Sequence, residues 1–241
     1  MKSVFLSYSG GMDSTVLLYH ALDQYDKVYT VTFNYGQRHL REIDCVNYHI
    51  EKNKEKASNI IIDLSFAKHF GSSALVNKSI TMPQAKDIMG DPQSKSYMPN
   101  RNMMFLSILT ALAEDNGVNM VMYGAAQADS VAGYFDGSKE FIGAINNVNI
   151  LNRRHKIKIE APLLDKSKAD IIKWGLSLGV DYSKTWTCYE GKDEACGVCT
   201  ACSLRLLGMI ESGYKDPLKY QIQEKLDKTY AERGCVDIKE L

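Results

Sequence analysis

Two groups of residues in this 241-residue chain have types and spacings suited to chemistry. The first is Ser9-Gly10-Gly11-Met12-Asp13-Ser14-Thr15. Two adjacent glycines let the backbone make a tight turn with its N–H groups aimed inward. A helix opening at that turn adds the partial positive charge of its N-terminus. Such a turn holds an anion, and the hydroxyls of Ser9, Ser14 and Thr15 add donors suited to phosphate. The plainer reading is a Gly-Gly turn with a Ser or Asp cap, common at the start of any helix. The whole stretch directly follows the first strand, at the carboxyl end where open α/β sheets bind ligands, and that placement favours phosphate. No Gly-x-x-x-x-Gly-Lys-Ser/Thr sequence occurs, so the loop is not of the Walker type.

The second group is Cys188, Cys196, Cys199 and Cys202, spaced x7, x2 and x2. Four thiolates at such spacings fit tetrahedral Zn2+, with Gly191 and Gly197 allowing the tight turns between them. Four protein ligands leave no position for water, so the zinc is expected to be structural, clamping the C-terminal loop. An iron–sulfur cluster is the alternative, and four free buried thiols is the third reading. Cys45 and Cys235 stand alone and read as ordinary core or surface thiols.

The elements that must position these groups follow from hydrophobic period. Strands are expected at 4–8, 28–34, 60–64, 119–123 and 157–161, and helices at 13–22, 40–52, 102–114, 167–178 and 203–210. Repeated strand–helix–strand units predict an α/β fold, a doubly wound parallel sheet with helices on both faces. Residues 72–96 have no clear period and read as an insertion or lid. The expected organisation is a nucleotide-binding domain over 1–180 and a C-terminal zinc-binding subdomain with its tail over 181–241.

Lys and Arg total 29, as do Asp and Glu, and hydrophobic residues make up 45%. That content supports a buried core, while zero net charge argues against a nucleic acid as main partner. No apolar run reaches the roughly 20 residues that span a bilayer, and the first residues lack the core of a signal peptide. A cytoplasmic, reducing location is expected, with no membrane partner.

The Ser-Gly-Gly-x-Asp-Ser stretch resembles the PP-loop of the ATP pyrophosphatases. That resemblance implies transfer of AMP to a substrate oxygen and release of pyrophosphate, with Mg2+ neutralising charge and Asp13 a candidate for holding it. Other segments narrow the resemblance: Asn34-Tyr35-Gly36-Gln37-Arg38-His39, Met98-Pro99-Asn100-Arg101-Asn102, Pro162-Leu163 with Lys168, and Thr185-Trp186-Thr187-Cys188-Tyr189 leading into Cys196-Gly197-Val198-Cys199-Thr200-Ala201-Cys202-Ser203-Leu204-Arg205. In this order, over residues 1–210, they resemble the 7-cyano-7-deazaguanine synthase family of the queuosine pathway. The resemblance implies a PP-loop fold of the adenine nucleotide alpha hydrolase type and an ATP-dependent carbon–nitrogen ligase. Its substrate would be 7-carboxy-7-deazaguanine, adenylated, attacked by ammonia to give an amide, and dehydrated to a nitrile after a second activation.

By the same resemblance, ATP is expected on Tyr8, Ser9, Gly10, Gly11, Met12, Asp13, Ser14, Thr15, Val16, Leu17, Leu18 and Arg38. Asp13, Arg101 and Lys168 are the expected catalytic residues. Arg38, Arg101 and Lys168 are the cations expected around the phosphates and the developing charge, a surface salt bridge being the plainer role of each. The deazapurine is expected against Tyr35, Gln37, Tyr97, Asn102, Tyr134, Asp136 and Phe141, with Tyr35 and Tyr97 able to stack on its ring. His39 is a possible acid or base, or a packing residue. A homodimer is also implied.

One stretch departs from the family. Where its members carry Gly-Tyr-Pro-Asp-Cys-Arg and then Glu-Phe, this chain has Gly133-Tyr134-Phe135-Asp136-Gly137-Ser138-Lys139-Glu140-Phe141. Lys139 cannot reproduce a bidentate Arg fork, so an altered substrate or acceptor is a second reading: a ligase joining the same acid to a larger amine, as on a partner protein. A nucleotide-sensing module without turnover is a third, opposed by the intact loop. A tRNA-modifying enzyme is opposed by the balanced charge.

Overall fold

In the computed structural model, which describes residues 1–38, 41–88, 95–126, 135–190 and 193–238, the chain begins with β1 (Ser3–Ser7). Val4, Phe5 and Leu6 are all buried, the mark of a strand covered on both faces. Around it α1 (Met12–Gln24), β2 (Lys27–Asn34), α2 (Arg41–Lys52), β3 (Ala57–Asp63), the short α3 (Ala85–Ile88), α4 (Arg101–Asp115), β4 (Met120–Met122), α5 (Lys139–Asn149), β5 (Lys158–Glu160) and α6 (Lys168–Ser177) follow in order. Then come α7 (Thr200–Ser212), β6 (Tyr214–Lys215), α8 (Gln223–Arg233) and β7 (Val236–Asp237). Strands β1 to β5 form one sheet in the order β3-β2-β1-β4-β5, every pair parallel.

Side-chain alternation along β1 sorts the layers. Val4 and Leu6 pack with Leu17, Leu18 and Ala21 of α1 and Val46 of α2. Phe5 points the other way, into a cluster with Leu106 and Leu109 of α4 and Ile142 of α5. The sheet is therefore doubly wound, as its sequence pattern predicts. Because the chain runs from β1 outward to β3 and returns to place β4 on β1's free side, the strand order reverses between β1 and β4. A crevice opens there at the strands' carboxyl ends.

Several elements depart from the sequence expectations, among them the short α3 and a β3 that begins at Ala57. Helix α5 was not expected, nor was α8, whose buried residues are Leu226 and Tyr230 alone. The helix expected at 203–210 begins three residues earlier, directly after Cys199. The β6–β7 pair has two residues per strand, too short for any period to register. Segment 72–88 is packed in place: Leu75 is buried, Ala74 N–H donates to the Lys95 carbonyl, and Ala85 N–H to Val198.

Beyond residue 180 the chain stays in the same core. Trp186, Leu206 and Tyr230 share a cluster with Phe5 and Leu106. Beneath it lies a buried ion pair. The guanidinium of Arg205, 1% exposed, donates through Nε to Asp216 Oδ2 at 2.6 Å and through a terminal nitrogen to Oδ1 at 3.0 Å. It also donates to Thr185 Oγ1 at 2.8 Å and to the Tyr182 carbonyl at 3.0 Å, while Tyr220 donates its hydroxyl to Asp216 at 2.7 Å. Burial alone would depress the Arg205 charge; Asp216 outweighs it and holds the guanidinium above the ordinary arginine range. The bonds fix residues 182–187, a single 3-10 turn and the segment after it, beside the phosphate loop.

Candidate active site

The loop between β1 and α1 has the form its glycines suggest. Gly10 adopts φ +78°, and a Cβ there would collide with the Glu42 carbonyl at the start of α2. Both the left-handed conformation and the close approach of α2 thus demand glycine. Gly11 caps α1 with extended backbone and no side-chain bond, leaving the helix N-terminus open. Ser9 and Ser14 bond through their hydroxyls at 3.1 Å, and Thr15 donates its hydroxyl to the Gly11 carbonyl at 2.8 Å. Trp186 N–H donates to the Gly10 carbonyl at 3.1 Å, so the C-terminal stretch is stitched to the loop.

A cavity of about 270 Å³ opens over this loop. Ser9, Gly11, Asp13 and Ser14 line one side; Tyr123, Gly124 and Ala125, at the carboxyl end of β4, line another. Tyr35, Arg101 and Tyr189 complete it, with Trp186, Thr200 and Leu204 from the C-terminal part. The cavity therefore sits where the strand order reverses.

Asp13 lies in the first turn of α1 and accepts a bond from Lys168 Nζ at 2.7 Å; the lysine side chain is 10% exposed. Gly208 of α7 makes room for the lysine stem, since a Cβ there would strike Lys168 Cγ. The second carboxylate oxygen of Asp13 is buried with no hydrogen-bond partner. An orphaned carboxylate oxygen beside an anion-binding turn suits a bound cation, so the residues present fit a Mg2+ that accompanies phosphates.

Arg101 opens α4 after Asn100, a left-handed residue at φ 54° that turns the chain into the helix. Burial would depress its charge; the phenols of Tyr35, Tyr189 and Tyr123, with Asp136, outweigh that and raise its pKa above the ordinary value. Arg101 is a fixed cation in the cavity. Burial pushes the Asp136 carboxyl up, against the pull of Arg101, and pushes the Tyr35 phenol up as well.

Other expected contacts stand elsewhere. Val16, Leu17 and Leu18 are fully buried behind the loop in the core. The Arg38 guanidinium bonds the carbonyls of Asn77 and Ile80 and does not line the cavity. Gln37 lines it, yet both ends of its amide serve the backbone, accepting from Tyr35 N–H and donating to the Phe33 carbonyl. Asn102 lines it and bridges the Arg101 Nε to the Asp136 carbonyl. Asp136, Phe141 and Tyr97 are partly buried outside the lining. Ser138, in the divergent stretch, caps α5 by accepting from Phe141 N–H at 3.1 Å. Tyr134, His39 and Gly191 lie outside the described residues. Sequence reasoning missed Glu42, Tyr123 and Thr200 as cavity residues; the strand-end rule applied to β4 would have found Tyr123.

The four cysteines converge. Cys188, Cys196, Cys199 and Cys202 are buried, with all four Sγ atoms within 4.8 Å of one another. Tetrahedral Zn–S bonds of about 2.3 Å would set sulfurs about 3.8 Å apart, and Cys196 and Cys202 stand at 3.9 Å. The donor set therefore fits a single soft cation. Bonds from the neighbouring thiols, Cys188 first, hold the Cys196 thiol well below the usual range, and the Val198 N–H adds to this. Gly197, at φ +76°, leaves no room for a Cβ against Ile222. An isolated bridge between Gln84 and Cys199 ties the 72–88 segment to this knuckle. Replacing Cys199 by Ser is expected to remove the bound metal and lower the melting temperature, read by elemental analysis and thermal melting; full metal content in the variant would refute the assignment of ligands.

A family model described as Queuosine biosynthesis protein QueC matches residues 2–213. The 7-cyano-7-deazaguanine synthase of Clostridium kluyveri is 40% identical over 227 residues, covering 92% of this chain and 99% of the relative. That of Caldicellulosiruptor saccharolyticus is 39% identical over 220 residues, covering 91% and 96%. That of Thermoplasma volcanium is 40% identical over 230 residues, covering 91% of each chain.

Proposed function

The chain belongs to the queuosine biosynthesis protein QueC family, and from that premise we propose that it makes 7-cyano-7-deazaguanine from 7-carboxy-7-deazaguanine, ATP and ammonia. The observation that carries this reading is the anion-binding loop opening onto a cavity that also holds the fixed Arg101 charge. A carboxylate is a poor electrophile. Transfer of AMP to it creates a good leaving group, and the site's task is to bring carboxylate and α-phosphate together.

The loop N–H groups and the α1 N-terminus hold the phosphates. Lys168, held near them by Asp13, neutralises charge as pyrophosphate departs. Mg2+ at the free Asp13 oxygen would supply further neutralisation of the phosphate oxygens. Arg101 attracts the acid, and Tyr35, Tyr123 and Tyr189 give its flat ring apolar faces. In this reading zinc on the four cysteines is structural: it fixes the turn from which Thr200 and Leu204 enter the cavity wall.

ATP is expected to be split between its α and β phosphates. Purified protein with ATP, Mg2+, ammonia and the acid should yield AMP, pyrophosphate and the nitrile by mass spectrometry. ADP and orthophosphate, or a stable amide without nitrile, would defeat the proposal.

A further inference from the structure

Three segments of the chain meet at Trp186. Its main-chain N–H donates to the Gly10 carbonyl of the phosphate loop, and its indole N–H donates to the Cys188 carbonyl at 3.1 Å. Over the indole lies the guanidinium of Arg41, 4.5 Å from the ring centre, which also donates through a terminal nitrogen to the Asp193 carbonyl. Arg41 is the first residue of α2, one position before the Glu42 carbonyl that crowds Gly10. Asp193 lies between Cys188 and Cys196, on the cysteine loop. One side chain therefore bridges α2 and the cysteine loop with the indole beneath it. Arg41 is exposed, whereas Trp186, which lines the cavity, is only 3% exposed.

We propose that Arg41 is a positioning residue for ATP: it holds the Trp186 indole in place and, through the Trp186 N–H, sets the Gly10 carbonyl and the loop N–H groups that face the phosphates. The inference rests on ATP occupying this loop, as in the proposed function. A guanidinium is planar, so its face can lie on the indole while its edge donates to a carbonyl. Lysine is a point charge on a flexible stem and cannot do both. That difference separates positioning from simple attraction. If Arg41 only drew the phosphates by its charge, Lys would serve as well, and the benefit would fade with added salt. If it holds the indole, Lys fails nearly as Ala does, and the site is loosened where the ring is bonded to the loop.

The contact is exposed on the arginine side, and such cation–π contacts are individually modest, so the effect on ATP is modest too. It falls on binding and not on the chemical step. A group that helps ground state and transition state alike changes KM and leaves kcat alone.

Two measurements on the full chain test this. A Trp174→Phe background leaves Trp186 as the one tryptophan, and acrylamide should quench its emission more strongly once Arg41 is replaced by Ala or by Lys. Titration calorimetry should show ATP bound about two- to fivefold more weakly by Arg41→Ala, and by nearly as much by Arg41→Lys. Turnover at saturating ATP should stay within about twofold of the parent. The melting midpoint should hold, since Arg41 is exposed; should Arg41→Ala fail to fold, Arg41→Lys, which keeps stem and charge, carries both measurements. Full ATP affinity in Arg41→Lys, unchanged ATP affinity in Arg41→Ala, or unchanged quenching in Arg41→Ala would each overturn the proposal, as would a parent protein that binds no ATP. A parent that binds ATP yet forms no nitrile from the acid would overturn the proposed function alone.

Discussion

Replacing Asp216 by Ala should lower the melting temperature by about 10 °C. Among the described residues the substitution removes the only carboxylate paired with the Arg205 guanidinium and leaves that charge buried at 1% exposure. Breaking one side of a buried pair costs about 3–5 kcal/mol, much of it the burden of the uncompensated charge. For a chain of this length each kcal/mol moves the midpoint by roughly 2–4 °C. Tyr220 and the Leu218 N–H lose their acceptor in the same change. The double variant Arg205→Met, Asp216→Leu should recover part of the loss, because it removes both charges together. Calorimetry of the three proteins checks this, and a shift under about 2 °C for Asp216→Ala would show that the pair is not what holds residues 182–187.

The largest expected effect on rate is at Asp13. Asp13→Asn keeps the shape of the first turn of α1 yet removes the charge that holds Lys168 at 2.7 Å and the oxygen that has no other partner. Losing one preorganised group where charge develops costs on the order of 3 kcal/mol, about a hundredfold in turnover. Pyrophosphate release gives the rate and thermal melting the control. Asp13 is 27% exposed, so the fold should barely notice the change. A hundredfold loss with an unchanged midpoint is expected; a variant within about threefold of the parent would exclude Asp13 from the chemistry.

The phosphate loop and the sheet were legible because each rests on local pattern. Adjacent glycines after a buried strand, and the short periods of β1, α1 and β2, need no distant partner to be read. Cysteine spacing was legible for the same reason. Arg205 stands out in the sequence only as part of the cysteine motif's continuation. The signal was a lone Arg within Ser203-Leu204-Arg205-Leu206-Leu207, an apolar run, but nothing in the pattern names Asp216 as its partner. Arg38 was expected at phosphates because it stands at the end of β2; its fork instead serves two carbonyls of the 77–80 turn, a long-range choice that no spacing encodes. Helix α8 escaped because two buried side chains make too narrow a stripe to register.

The position of β1 bears on how the chain reaches its fold. Its Ser3 pairs with Lys27, close in sequence, whereas on the other side Phe5 pairs with Val121, which leaves the ribosome far later. During synthesis the β1–β2–β3 half-sheet can assemble while the outer edge of β1, carrying Val4, Phe5 and Leu6, has no neighbour. An apolar strand with free N–H and C=O groups is a template for pairing with another chain. The central strand of the finished protein is thus the sticky edge of the nascent one, and aggregation of newly made chains should fall on this strand until β4 closes over it.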